Sequence, residues 1–83
     1  MSNLKINESP YGYLIIIDFN RMYLAYDFEI ASYLDLTEEE YQDILIKEGA
    51  LLIDEECFFN IKSDAEKAIK VLEPYLVIAN LLK

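Results

Sequence analysis

Carboxylates dominate the side chains able to do chemistry: sixteen aspartates and glutamates stand against seven lysines and arginines, and histidine is absent. Without imidazole the chain lacks the commonest general base and the commonest nitrogen ligand for a metal, so most hydrolytic mechanisms have no participant. A pair of carboxylates catalyses alone only when one is held in an apolar pocket, and no spacing here marks out such a pair. Asp54-Glu55-Glu56 is able to draw a hard cation, but no Asp-x-Asp-x-Asp-Gly loop surrounds it, and a turn is the default reading. Cys57 is the only cysteine. It excludes an internal disulfide, suits a reducing compartment and, beside Phe58 and Phe59, reads as core filling. The sequence therefore predicts no catalytic residue, no metal ligand and no cofactor.

The distribution of charge says more than its total of −9. Residues 1–26 balance, with Lys5 and Arg21 against Glu8 and Asp18. From Asp27 to Glu56 there are eleven acids and one base, Lys47, a net −10, while the last third is close to neutral. A band of that kind repels nucleic acid and anionic lipid and steers a protein toward basic surfaces, more weakly as salt rises. Carboxylates clustered at a helix end and in a nearby turn imitate the phosphate spacing of a nucleic acid and compete for lysine- and arginine-rich grooves. The bland alternative is a solvated surface that keeps a small protein in solution. Seven tyrosines accompany the acids. So small a core cannot bury them all with their hydroxyls satisfied, so several are expected at the surface, where tyrosine beside carboxylate grips arginine-rich partners.

Eighty-three residues, 54% of them apolar, suit one domain over 1–83 with one small core. Met1 to Pro10 lacks a basic stretch followed by an apolar one, and no apolar run is long enough to span a bilayer, so the chain reads as soluble and cytoplasmic. Residues 1–10, ending in Ser9-Pro10, read as a frayed lead-in. Tyr11 or Tyr13 through Phe19 predicts a buried strand and Asn20-Arg21 a turn. Met22 to Tyr26 fits a returning strand, with a helix from near Tyr23 as the alternative. Asp27 to Leu34 predicts a short helix with Asp27 as its N-cap. Thr37-Glu38-Glu39-Glu40 is a capping box with Leu36 and Tyr41 at the staple positions, opening a helix that buries Tyr41, Ile44 and Leu45 and stops at Gly49. Ala50 to Phe59 predicts a strand or hairpin broken by the acidic turn. Ser63-Asp64-Ala65-Glu66 is a second capping box for a helix that buries Ala65, Ala68, Ile69 and Leu72. Pro74 should end or kink it, with a further helical segment through Leu76, Ala79 and Leu82. The class is α+β: a small antiparallel sheet of two to four strands packed against three or four short helices.

Three local resemblances bear on function. Ile30 to Leu45 resembles a helix-turn-helix, with alanine in its first helix and a threonine N-cap on its second, but Asp35 stands where glycine is usual. The helix that would read DNA exposes Glu38, Glu39, Glu40, Gln42 and Asp43, which phosphates repel, so a plain helical hairpin is expected. Leu14-Ile15-Ile16-Ile17-Asp18-Phe19-Asn20 is similar to the opening strand of PIN-like and flap-type nucleases, whose strand-end aspartate binds a divalent metal; that resemblance implies a metal-dependent nuclease using Asp18. Cys57-Phe58-Phe59-Asn60-Ile61-Lys62-Ser63-Asp64-Ala65-Glu66-Lys67-Ala68-Ile69 resembles the aromatic strand and Ala-Glu-Lys helix of small accessory proteins of phages and mobile elements. Among these, the resemblance implies an inhibitor of host nucleic-acid machinery, of the anti-CRISPR or DNA-mimic kind.

The leading expectation is accordingly a non-enzymatic inhibitor or modulator. It would occupy the basic nucleic-acid-binding surface of a partner protein with Glu38, Glu39, Glu40, Asp43, Asp54, Glu55 and Glu56, aided by Tyr33 and Tyr41, and would bind neither nucleic acid nor membrane itself. The alternative is a structural or assembly module that dimerises or docks through the apolar segment Tyr75 to Leu82. The Asp18 nuclease is third.

Overall fold

The computed structural model describes the backbone of residues 3–82 and the side chains of residues 3–78. The isoleucine-rich run becomes the middle of a sheet: strands Leu4–Ser9 (β1), Gly12–Phe19 (β2) and Met22–Leu24 (β3) pair antiparallel in the order β1-β2-β3. Leu4 sits opposite Ile17 and Ile6 opposite Ile15, so one face carries Leu4, Ile6, Ile15, Ile17, Phe19 and Leu24 into the core. Lys5, Asp18 and Tyr23 fall on the other face. Residues 4–9 are thus a strand that contributes core side chains, which corrects the reading of residues 1–10 as a lead-in. The β1–β2 turn rests on Gly12: its φ of 131° lies where L side chains are strained, and a Cβ there would stand 2.6 Å from the Phe59 carbonyl oxygen.

Helix Asp27–Tyr33 (α1) and helix Glu38–Lys47 (α2) follow, joined through Asp35. Asp35 takes a left-handed φ of 61°, and the Leu36 N–H donates to the Ala31 carbonyl at 2.9 Å, which closes α1 with a Schellman motif. Gly49 ends α2 in the same way, with the Ala50 N–H on the Leu45 carbonyl at 3.0 Å. The turn between α1 and α2 therefore forms without a glycine, aspartate being among the few residues that tolerate the left-handed region.

Strands Leu51–Ile53 (β4) and Glu56–Phe58 (β5) form a hairpin around the Asp54-Glu55 turn. The hairpin joins the first sheet by two backbone bonds between Tyr13 and Phe59, at 2.8 and 2.7 Å, which continue β5 alongside β2. Helix Lys62–Leu82 (α3) follows and packs on β1 and β2 through Ala65, Ala68, Leu72 and Leu76. Its start precedes Ser63 by one residue, so Ser63 lies inside the first turn, and no described hydrogen bond joins it to Glu66; the second capping box does not form. Pro74 lies within α3 without ending it. Proline withholds the N–H that would meet the Lys70 carbonyl, but both residues are exposed, where water serves the freed acceptor.

The fold is α+β, as the sequence predicts; among the described residues five strands divide between two small antiparallel sheets, and the third helix runs for 21 residues, longer than foreseen. Tyr41, Phe59, Ile17, Ile30, Leu34, Leu45 and Leu72 are fully buried where the sheets and helices meet. No described helix is long and apolar enough to cross a membrane.

Candidate functional site: carboxylates around a buried aspartate

Local sequence places the first acids. The Thr37 hydroxyl accepts from the Glu40 N–H at 3.1 Å and the Glu40 carboxylate accepts from the Thr37 N–H at 2.9 Å, fixing the start of α2. That backbone hydrogen bond holds the Glu40 carboxyl below its ordinary range, so it stays charged in mildly acidic solution. Glu38 accepts from the Gln42 side-chain amide at 3.2 Å, one turn along the helix. Glu38, Glu39, Glu40, Asp43, Asp54 and Glu55 are all exposed and Glu56 is half-buried. The ion pair present among the described residues, Lys5 with Asp18 at 2.7 Å, involves none of them. None of them is in a described ion pair, although Lys47 stands one turn along α2 from Asp43.

One acid of the band is buried: Asp27 is only 3% exposed. It was expected to cap α1; instead Tyr26 is the N-cap, with no side-chain cap bond, and Asp27 is the first helical residue, turned inward. The Cys57 thiol and backbone donate to its carboxylate, yet Oδ2 has no partner. Desolvation pushes its pKa up to about 6, and the negative fields of Glu56 and Glu38 add to the rise. Glu38 at the start of α2 and Glu56 on β5 thus both act on one buried carboxyl. Burial raises Cys57 well above the ordinary thiol range, so it is an inert core thiol. Burial does the same to the Tyr41 hydroxyl, which also lacks a partner.

Tyr41 is 0% exposed, which removes it from any contact surface and corrects its place in the expected set. The period of α2 forces this: Tyr41 and Leu45 share the face turned to the core. Tyr33 is half-buried, with its ring 5.5 Å from that of Phe19. The tyrosines that do face solvent are Tyr11, Tyr23 and Tyr26. Asp18 is held by Lys5 on the sheet face away from the core, and no group of three or more potential ligands stands together among the described residues.

Asp27 is the acid that sequence reasoning misplaced. Its residue type and position before an apolar run are those of an N-cap, and only the approach of β5 from 30 residues away buries it. Comparison with protein-family models, with curated proteins and with solved structures gives no match to this chain.

Proposed function

We propose that the protein is a non-enzymatic inhibitor that lays its acidic surface on the basic nucleic-acid-binding surface of a partner protein, in the manner of a DNA mimic or an anti-CRISPR protein. The observation that carries this reading is the exposed, unpaired state of Glu38, Glu39, Asp43, Asp54 and Glu55 around two segments that border the same buried Asp27. Exposed carboxylates held by a capped helix start and a hairpin turn would form a preorganised anionic array, and a lysine-rich groove that accepts it would lose its nucleic acid by competition.

The experiment is capture from host lysate at low salt, followed by fluorescence anisotropy of labelled nucleic acid bound to each captured protein. Displacement should follow the amount of inhibitor added and weaken steeply as salt rises. Glu39→Lys, Asp43→Lys and Glu55→Lys together should abolish displacement, while sparing the Glu40 bond that caps α2. Captured proteins that keep their nucleic acid, or equal displacement by the reversed protein, would refute the proposal.

A second reading, assembly through the C-terminal segment, is favoured by the exposure of Val77 and Ile78, at 57% and 52%, on the outward side of α3. Ile78→Asp tests it, because Leu76 is buried and its replacement would disturb the core instead. A dimer in sedimentation that resists high salt and is lost in Ile78→Asp would support assembly; a monomer at all concentrations would end it.

A further inference from the structure

The outer edge of β3 combines two features that the acidic surface does not explain. Asn20 and Arg21 both take left-handed conformations, with φ of 49° and 65°, so β2 and β3 are joined by a two-residue type I′ turn closed by Phe19 and Met22. In such a hairpin the closing pair exchanges both ladder bonds and bonding alternates along the strand. Met22 and Leu24 therefore turn their backbone groups toward β2, while Tyr23 turns its N–H and C=O outward, where no described strand meets them. The second feature is a groove of about 380 Å³ beside that edge, lined by Met22, Leu24, Phe28, Glu29, Ser32 and Tyr33. Met22 and Leu24 stand opposite Phe19 and Ile17, so their side chains share the core-facing side of the sheet. Just past β3 that side is roofed by the outward surface of α1. A fourth strand added to β3 would drop every second side chain into the groove.

We propose that this groove binds an extended peptide segment of a partner protein, which adds to β3 through the free N–H and C=O of Tyr23. The segment places apolar side chains at alternate positions against Met22, Leu24 and Phe28, and a lysine or arginine against Glu29. Each part of that occupant is read from the site. The open edge calls for extended backbone, and the exposed Met22 and Phe28 call for apolar side chains. Glu29 is half-buried and has no ion-pair partner among the described residues, which calls for a base. A second copy fits poorly, because two chains of net charge −9 repel each other. The inference does not depend on the acidic surface, since Glu39, Asp43 and Glu55 lie outside the groove lining.

A displayed library of random heptapeptides, selected on the immobilised full-length protein, tests the proposal. Enrichment of sequences with apolar residues two apart and a flanking lysine or arginine is expected. Tyr23→Pro removes the outward N–H at an edge position that proline tolerates, and Ser32→Tyr fills the groove from an exposed site. With circular dichroism unchanged, each should weaken a selected peptide about tenfold. Glu29→Lys should replace the selected base by an acid. In the labelled protein, amide shifts on peptide addition should centre on Met22–Leu24 and Phe28–Tyr33. No enrichment, equal affinity for Ser32→Tyr, shifts centred elsewhere, or a dimer formed through β3 without peptide would each overturn it.

Discussion

At the scale of single residues the most consequential side chain is Asp27, an acid placed where its charge is least welcome. In the unfolded chain it titrates near 3.8 and in the folded protein near 6. Between those values the folded state binds the extra proton, so folding is favoured at low pH and that advantage fades as pH rises through 6. Above it the ionised carboxylate costs stability, on the order of 3 kcal/mol for a shift of this size. Asp27→Asn should therefore stabilise the protein at pH 7.5 by roughly 1–3 kcal/mol, because it removes a buried charge with an unpartnered oxygen. It should give little or no gain at pH 4, where aspartate is already neutral in the folded state. Urea unfolding at the two pH values checks this; an equal effect at both would mean that Asp27 is not titrating as its burial implies.

At the scale of elements, α2 and β1 make opposite demands on local sequence. The Thr37 and Glu40 exchange of hydrogen bonds is complete within four residues, and Thr37→Ala should cost about 1 kcal/mol in urea unfolding, the usual worth of a helix cap. β1 has no such local signature. Leu4-Lys5-Ile6-Asn7-Glu8 does alternate apolar and polar residues, but over too few positions to outweigh the turn signal of Ser9-Pro10, and it is the pairing with β2 that makes it a strand. Leu4 is 5% exposed within the core cluster, so Leu4→Ala should destabilise the protein by about 2–4 kcal/mol. A lead-in would show no change on the same titration curve. The failed second cap follows the same logic: Ser63 and Glu66 have the spacing of a capping box, but α3 begins at Lys62 and takes Ser63 into its first turn.

For the whole molecule, the uneven charge is a structural load as well as a surface for partners. Glu38, Glu39 and Glu40 crowd the start of α2 outside any described ion pair and repel one another, and screening relieves that repulsion. Added sodium chloride should raise the urea midpoint, and the combined reversal of Glu39, Asp43 and Glu55 to lysine should raise it in low salt and flatten its salt dependence. A midpoint indifferent to salt in the original chain would show that the acids are too far apart to interact. The same reversal removes the proposed partner contact, so greater stability with loss of binding would separate a binding surface from one kept only for solubility.

The sequence by itself determined the features that close within a few residues. The isoleucine-rich run of β2, the turns at Asn20-Arg21 and Asp54-Glu55, the capped start of α2, its end at Gly49 and the α+β class all rest on local backbone preference and periodicity. The concentration of acids was equally plain, since charge is counted without coordinates. Only the tertiary structure decided that residues 4–9 join the sheet, that Asp27 faces Cys57 inside the core, that Tyr41 is sealed away, and that β3 leaves an open edge beside α1. Burial is set by what arrives from distant parts of the chain, and neither residue type nor spacing records that approach.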